Sequence, residues 1–216
     1  MKKPIIIFDF DGTIVDSLDV VTEIFEHLSG QIKNLDDPEI DKLRHLPLNE
    51  VAKRLDVPFW KVPYLVLYRR KLMSQRISEI KPFPGMANLI KSLHGEGYTL
   101  LIVSSNSLRN VSSFLKIHEL RQYFYRVYGN VGIFNKAQAL RKLIRKNRLS
   151  LEDCIYVADE TRDIKACKTT GIRCVAVNWG FADPTLLAEL KPYGFVTTPN
   201  ELKQLIVNDN NKVVGA

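Results

Sequence analysis

Two aspartates, Asp9 and Asp11, directly follow an apolar run that begins at Ile5, within the segment IIIFDFDGTIVDS. Side chains at positions i and i+2 of a β-strand point to the same side, so these carboxylates should lie close together where the strand ends. Two adjacent negative charges repel each other unless a positive charge lies beside them. The segment therefore predicts a neighbouring metal ion or lysine, or else a carboxylate pair that water solvates.

Further polar side chains follow the other predicted strands at equivalent places. They are Ser104, Ser105 and Asn106 after YTLLIV, Asn135 and Lys136 after RVYG, and Asp159, Glu160 and Asp163 after CIYVA. Ligands of an open parallel sheet bind beyond the carboxyl ends of its strands. We therefore expect carboxylates, hydroxyls and one ammonium group to converge on one edge of the sheet.

Lys136 is expected to open a helix, where the helix dipole favours negative charge and disfavours a lysine. A bound anion beside Lys136 would remove that conflict. The alternative is an ordinary surface lysine in a lysine-rich helix. Asn135 is positioned to cap this helix and thereby to fix the direction of Lys136.

The ligand types at this edge favour Mg²⁺ over zinc, because Mg²⁺ is a hard cation that prefers oxygen. The histidines show no metal-ligand spacing and are interpreted as surface or helix-end residues: His27, His45, His94 and His118. Mg²⁺ beside a lysine and hydroxyl donors suits a phosphoryl group, whose oxygens must be neutralised in the transition state. The residues therefore predict phosphoryl chemistry, in which one carboxylate can act as nucleophile.

The elements that must position these residues alternate along the chain between short β-rich runs and amphipathic helices. Strands are predicted at 4–9, 98–103, 126–129, 154–158 and 174–177. This alternation is typical of an α/β fold with a doubly wound, mostly parallel sheet covered by helices on both faces.

Residues 16–82 break the alternation. Apolar residues recur at helical spacing in three segments, which begin near Val20, Pro47 and Phe59, and no strand pattern appears. Pro63 falls in the first turn of the third segment, where proline is tolerated. We therefore predict an all-helical cap domain at 16–82, inserted into an α/β core formed by 1–15 and 83–216.

At these motifs the sequence resembles the haloacid dehalogenase (HAD) superfamily, in particular its phosphoglycolate-phosphatase-like branch with a helical cap after the first motif. DFDGT matches the first motif and YVADETRDIKACKTTGI the fourth, with VSSN and NKAQAL in order between them, so the resemblance covers nearly the whole chain. Ala158 and Asn135 stand where the family usually or often has glycine. We expect a strand end to accept the alanine.

The resemblance implies a role for each site residue. Asp9 would be the nucleophile that forms an aspartyl phosphate, and Asp11 the acid that protonates the leaving oxygen and then the base that activates water. Asp9, the backbone carbonyl of Asp11, and Asp159 would hold Mg²⁺, while Ser104 and Lys136 would grip the phosphoryl oxygens. The remaining expectations assign Thr13, Ser105 and Asn106 to the turn and to substrate binding, and Glu160 and Asp163 to contacts through water or to the support of Lys136.

The implied function is Mg²⁺-dependent hydrolysis of a small soluble phosphate monoester, either phosphoglycolate-like or a sugar phosphate. A phosphomutase of the same superfamily and a non-catalytic binding or regulatory module are the alternatives. In the predicted cap, residues 44–50 and 68–71 could meet a carboxylate or second phosphate of the substrate. The preferred interpretation places Arg69 and Arg70 on the solvent-facing side of a helix.

Composition limits the partners and the compartment. The 216-residue chain carries a formal charge of +7, three cysteines and no apolar stretch long enough to span a membrane. Three cysteines cannot all pair, which favours a reducing compartment, so a cytoplasmic location is expected. The basic helix 136–148 is interpreted as solvated rather than as a nucleic-acid surface. The expected partner is a small phosphorylated metabolite, with no nucleic acid or membrane, bound by a monomer or homodimer.

Overall fold

A computed structural model describes residues 3–20, 23, 58–132 and 136–214. The strands are β1 (Ile5–Phe8), β2 (Val15–Asp16), β3 (Lys81–Pro82), β4 (Thr99–Val103), β5 (Arg126–Tyr128), β6 (Cys154–Ala158), β7 (Arg173–Val177) and β8 (Gly194–Val196). Six of them form one parallel sheet in the order β5-β4-β1-β6-β7-β8. The short strands β2 and β3 pair separately.

The first strand lies inside the sheet, where Ile5 is paired with Thr99 on one side and with Cys154 on the other. Its side chains alternate between two buried clusters, with Ile6 in one and Ile7 in the other. Because both faces of the strand are buried, its sequence is a continuous apolar run rather than an alternation.

Helices cover both faces of this sheet. One face packs against Met86–Gly95, Leu108–Ile117 and Pro199–Val214, and the other against Lys136–Lys146, Thr161–Thr170 and Pro184–Glu189. The predicted α/β class with a doubly wound parallel sheet is therefore confirmed. None of the helices in the described part of the chain has the length and apolar composition that a membrane crossing requires.

Only part of the predicted cap lies among the described residues. A 3₁₀ turn at Phe59–Lys61 leads into the helix Val62–Arg76, with Pro63 in its first turn as predicted. The predicted helix near Pro47, most of the one near Val20, and residues 44–50 lie outside the described residues. The division of the chain into core and cap stays a prediction.

The two crossings between the core and the predicted insertion lie side by side. Val15 pairs with Pro82 and Asp16 with Lys81 in an antiparallel ladder, although no strand was predicted within 16–82. The next residue, Phe83, also donates its backbone N–H to the carbonyl of Ile14 at 3.0 Å. These hydrogen bonds join residues that lie far apart in the sequence, and a two-residue strand is too short to show a periodic pattern. The sequence therefore did not indicate this pairing. The predicted insertion would thus be entered and left through a short two-stranded ribbon.

Candidate active site

The predicted site residues lie beyond the carboxyl ends of β1, β4, β5 and β6. In the strand order of the sheet, the chain proceeds from β1 to β4 towards one edge and from β6 to β7 towards the opposite edge. The strands β1 and β6 therefore flank the point where the winding reverses, which is where open α/β sheets bind ligands. The polar residues there are all buried, none more than 8% exposed: Asp9, Asp11, Thr13, Ser104, Ser105, Asn106, Lys136, Asp159, Glu160 and Asp163.

Asp9 has both carboxylate oxygens directed by hydrogen bonds. The backbone N–H of Phe10 donates to Oδ1 at 2.8 Å, and the Lys136 ammonium donates to Oδ2 at 2.8 Å. Burial alone would raise the pKa of Asp9, but the nearby Lys136 and Arg162 cations outweigh burial and hold this pKa below its ordinary value. Asp9 is therefore an oriented, ionised carboxylate.

Lys136 is the first residue of its helix and reaches two carboxylates. Its Nζ lies 2.8 Å from Asp9 Oδ2 and 2.7 Å from Asp163 Oδ1, and 5.3 Å from the centre of the Tyr156 ring. Burial would lower the pKa of Lys136, but the charges of Asp163 and Asp9 raise it above its ordinary value. The ammonium group stays charged and available to an anion. Asn135, which was predicted to be the N-cap of this helix, lies outside the described residues.

Asp11 is held by a different set of neighbours. The side-chain amide of Asn106 donates to its two oxygens at 3.2 and 3.1 Å, and the Ser17 hydroxyl donates to Oδ1 at 3.2 Å. The Arg69 guanidinium approaches Oδ2 to 3.2 Å. The two aspartates of the first motif, although two residues apart, therefore have separate electrostatic surroundings.

Asp159 is fixed by the turn that follows β1 and by the loop that follows β7. Thr13 donates its hydroxyl to Oδ1 at 2.8 Å, and the backbone N–H of Phe181 donates to Oδ2 at 2.9 Å. Burial and the charges of Glu160 and Asp9 raise the pKa of Asp159 to about 7. This carboxyl group is therefore crowded by negative charge.

Two glycines permit this close approach to Asp159. A Cβ on Gly12 would lie 2.1 Å from Asp159 Oδ2, and a Cβ on Gly180 would lie 2.2 Å from Asp159 Cβ. Gly12 also has φ +76°, a left-handed conformation that side chains other than glycine rarely adopt. By contrast, Ala158 is the last residue of β6, and its backbone does not adopt a positive φ. The expectation that the strand end accepts alanine is confirmed.

The donor set fits a divalent cation. Among the described residues, no three His, Cys, Asp or Glu side chains form a group that could hold a metal by themselves. The predicted set needs only two carboxylates, Asp9 and Asp159, because its third protein ligand is the backbone carbonyl of Asp11. These are oxygen ligands of the kind that Mg²⁺ prefers. A cation would also relieve the repulsion that raises the pKa of Asp159.

The loop after β4 brings its polar residues to the same edge. Ser104 is fully buried, and its Oγ accepts the backbone N–H of Asn106 at 2.9 Å. The Asn106 side chain also accepts from Asn110 Nδ2 at 2.9 Å, so the amide that contacts Asp11 is itself held in place. The structure brings Ser104, Ser105 and Asn106 to the site, and their proposed contacts with substrate stay predictions.

The residues after Asp159 place a second cation near Asp9. Arg162 forms a two-point ion pair with Glu160, with Nη2–Oε1 at 2.8 Å and Nε–Oε2 at 2.6 Å. Its charge also contributes to the lowered pKa of Asp9. Burial and the Asp9 carboxylate raise the pKa of Asp163 against the attraction of Lys136. Glu160 therefore supports Arg162, a residue that the motif comparison did not single out.

The interpretation of Arg69 and Arg70 as solvent-facing is wrong. The Arg69 side chain is only 15% exposed and pairs with Asp11. Arg70 donates from Nε to the backbone carbonyl of Ser105 at 3.1 Å. Both arginines therefore reach from the predicted cap into the site.

The sequence patterns also did not predict that the loop after β7 contributes to the site. Trp179 donates its indole N–H to the carbonyl of Thr13 at 3.0 Å, close to the bond between Phe181 and Asp159. The loop 178–181 follows β7, the strand next to β6. The rule that predicted the other site loops, applied to β7, would have indicated this one.

Comparisons with known proteins agree with this geometry. A family model described as haloacid dehalogenase-like hydrolase matches residues 6–177. A phosphoglycolate phosphatase of Synechococcus elongatus is 32% identical over 203 residues, which cover 93% of this chain and 96% of the relative. A pyrophosphatase of Halalkalibacterium halodurans, PpaX, is 22% identical over 197 residues, covering 89% and 91%.

Solved structures share the fold. A predicted phosphatase from Clostridium acetobutylicum aligns with TM-score 0.82 at 20% identity, covering 96% of this chain and 100% of that one. A haloacid dehalogenase-like hydrolase from Streptococcus pneumoniae aligns with TM-score 0.77 at 23% identity, covering 93% and 96%. The match of the family model to most of the chain and the identity to the Synechococcus enzyme decide the assignment: this chain belongs to the haloacid dehalogenase-like hydrolases.

Proposed function

We propose that this protein is a Mg²⁺-dependent phosphatase for small soluble phosphate monoesters, acting through an aspartyl phosphate on Asp9. The observation that carries the proposal is the separation of the two aspartates. Asp9 is oriented by Phe10 and Lys136, whereas Asp11 is held by Asn106 and Ser17. One carboxylate is thus placed as a nucleophile and the other as an acid and base.

In the first step, an oxygen of Asp9 bonds to phosphorus as the bond from phosphorus to the leaving oxygen breaks. Protonated Asp11 gives its proton to that oxygen, and the alcohol departs. In the second step, Asp11 takes a proton from water as the water oxygen attacks phosphorus. The aspartyl bond breaks, inorganic phosphate leaves, and both aspartates return to their starting states.

The basic and hydroxyl groups stabilise the charge on the transferring group. Lys136 and Ser104 would donate to its equatorial oxygens, which carry most of the charge in the transition state. Asp9, the backbone carbonyl of Asp11, and Asp159 would hold Mg²⁺, which supplies further charge neutralisation when bound.

The substrate is expected to be a small phosphorylated metabolite, either phosphoglycolate-like or a sugar phosphate. The site is enclosed, because helix Val62–Arg76 sends Arg69 and Arg70 to residues of the core. The names of the relatives, phosphoglycolate phosphatase and pyrophosphatase, also support small phosphorylated substrates.

The first test is the chemistry itself. Purified protein should release phosphate from p-nitrophenyl phosphate with Mg²⁺ present and lose that activity in excess chelator. Asp9→Asn should abolish turnover and phosphoenzyme formation, because an amide is a poor nucleophile. Asp11→Asn should slow turnover about 10²–10⁴-fold, the usual loss when a general acid and base is removed.

The two variants serve as controls for each other in an acid-quench experiment with labelled substrate. Because p-nitrophenolate leaves without much help from an acid, Asp11→Asn should accumulate a phosphoenzyme, whereas Asp9→Asn should show none. A phosphoenzyme that mapped to any residue other than Asp9, or full activity without divalent metal, would contradict the proposal.

A further inference from the structure

Arg69 is a cationic group at the site that the proposed reaction does not use. It lies on helix Val62–Arg76, yet its side chain is 15% exposed and Nη2 lies 3.2 Å from Asp11 Oδ2. The two Asp11 oxygens already accept from Asn106, and one also accepts from Ser17. Asp11 therefore does not depend on Arg69 for its hydrogen bonds.

The Arg69 guanidinium is incompletely bonded. Among the described residues, its buried Nη2 makes no hydrogen bond of acceptable geometry, despite the ion-pair distance to Asp11. Leaving a buried charged donor without an acceptor is costly, so such donors are normally satisfied. An acceptor from a bound ligand would complete this one.

The helix backbone holds Arg69 at this place. Next to it, Arg70 donates to the backbone carbonyl of Ser105, and Asn110 Nδ2 donates to the backbone carbonyl of Arg70 at 2.8 Å. These bonds fasten the helix to the loop and helix that follow β4. The Arg69 side chain is thus presented to the site by a helix that is anchored at the neighbouring residue Arg70.

We propose that Arg69 binds a second anionic group on the leaving alcohol and thereby selects the substrate. The inference rests on the proposed function and names its substrate class: phosphate monoesters whose leaving group carries a carboxylate or a second phosphate close to the ester oxygen. A planar guanidinium can donate two parallel hydrogen bonds to either anion.

The position of Asp11 sets how close the second anion must be. To protonate the leaving oxygen, Asp11 must come within about 3 Å of it. Arg69 lies 3.2 Å from the same carboxylate. An anion joined to the ester oxygen through one or two carbon atoms would therefore reach Arg69, whereas a distant charge on a long chain would not.

A neutral leaving group would leave the buried Nη2 of Arg69 without a hydrogen-bond acceptor. A site that is built to bind a polar group of its substrate strongly rejects analogues without that group, because the buried donors of the site then lose their partner. We expect a preference of about 10²-fold or more in kcat/KM for phosphoglycolate over 2-hydroxyethyl phosphate, which has the same size but no second charge.

The test compares Arg69→Gln with wild type on four substrates. Phosphoglycolate provides a carboxylate, ethylene glycol bisphosphate provides a second phosphate, and 2-hydroxyethyl phosphate and p-nitrophenyl phosphate provide neither. The variant should lose about 10²-fold in kcat/KM on at least one anionic substrate, mainly through KM, and stay within about threefold on the two others. Loss on phosphoglycolate alone identifies a carboxylate site, and loss on ethylene glycol bisphosphate alone identifies a phosphate site.

Arg76→Gln is the matched control. It removes the same charge from the same helix, but the Arg76 side chain is 34% exposed and pairs with Glu79 and Glu23. Its substrate preferences should match wild type. Arg69→Lys should recover only part of the preference, because an ammonium group cannot form the paired bonds.

An equal loss on all four substrates would overturn the inference, because Arg69 would then act on Asp11 or on the position of the helix. No loss on either anionic substrate would also overturn it. Equilibrium titration of the Asp9→Asn variant with phosphoglycolate and 2-hydroxyethyl phosphate separates this inference from the proposed function. Tighter binding of phosphoglycolate that depends on Arg69 would support the anion site even if the wild type hydrolysed neither ester.

Discussion

The ammonium group of Lys136 contacts both the proposed nucleophile and Asp163, at 2.8 and 2.7 Å. In the resting site it neutralises carboxylates, and during the reaction it would donate to the transferring phosphoryl group. Both tasks need a cation that does not lose its proton, and the raised pKa of Lys136 provides it. Its effect on rate should therefore be common to all substrates.

Lys136→Ala should lower kcat/KM for every substrate by a similar factor, on the order of 10²-fold or more, because it removes a charge from the shared transition state. Lys142→Ala removes a lysine from the exposed side of the same helix and should leave kcat/KM nearly unchanged. Steady-state kinetics on an aryl phosphate and a small ester would check both. A Lys136→Ala loss confined to one substrate would contradict the common role.

The sequence allowed Lys136 to be placed but not Arg69. Lys136 conflicts with the dipole of the helix it opens, and that local conflict pointed to an anion. Arg69 conflicts with nothing nearby, because an arginine on a helix is ordinarily solvated. Only the packing of helix Val62–Arg76 against the loop after β4 reveals its contact with Asp11.

The turn after β1 and the loop after β7 meet at Asp159. Thr13 and Phe181 donate to its two oxygens, and Trp179 donates to the backbone of Thr13. Two short connections from strands on either side of β6 thus fix one carboxylate. The glycine in the turn is what allows them to come together.

Gly12→Ala should disturb this junction far more than its backbone strain alone predicts. The added Cβ would lie 2.1 Å from Asp159 Oδ2, so the carboxylate must move. Loss of about 10-fold or more in apparent Mg²⁺ affinity is expected, as for other changes that misplace a metal ligand.

Gly97→Ala is the control for Gly12→Ala. Gly97 has φ +84°, close to the +76° of Gly12, but a Cβ there meets nothing within 4 Å. Both variants should lose about 1–3 kcal/mol of unfolding free energy from backbone strain, measured by urea denaturation. Only Gly12→Ala should alter the Mg²⁺ dependence of activity, and an equal change in both would refute the steric explanation.

The strands and helices that carry the site were predictable because their periodicities are strong. The five predicted strands of the parallel sheet and the basic helix predicted at 136–148 are observed close to their expected positions. The strand β8 and the helix Pro184–Glu189 were not predicted, since three-residue strands and six-residue helices carry little periodic signal. Long-range pairing, rather than local pattern, determines such elements.

On the scale of the whole molecule, five buried acidic residues lie at one edge of the sheet in a chain whose formal net charge is +7: Asp9, Asp11, Asp159, Glu160 and Asp163. Many of the basic residues that the structure describes lie away from this edge, including those on the exposed side of helix Lys136–Lys146. The carboxylates at this site therefore repel one another, as the raised pKa of Asp159 indicates most clearly. Metal binding should reduce that repulsion and so be coupled to the stability of the whole fold.

Mg²⁺ should raise the melting temperature. At a concentration about 100 times its dissociation constant, binding adds about 2.7 kcal/mol, which corresponds to roughly 5–10 °C for a chain of this length. Differential scanning fluorimetry with and without chelator would measure the shift. Asp159→Asn should abolish it, whereas Glu152→Gln, a change of an exposed acidic residue, should retain it. An unchanged shift in Asp159→Asn would rule out Asp159 as a ligand.

The ribbon formed by β2 and β3 has a consequence for how such a protein can diversify. Antiparallel pairing places the Cα atoms of Asp16 and Lys81 about 4.5–5.5 Å apart. Any inserted segment whose own ends lie that close can be joined at these residues while β1 and the helix Met86–Gly95 keep their places. Gene segments that encode different inserts could therefore be exchanged at this junction, and each exchange would give the same phosphoryl chemistry a new range of substrates.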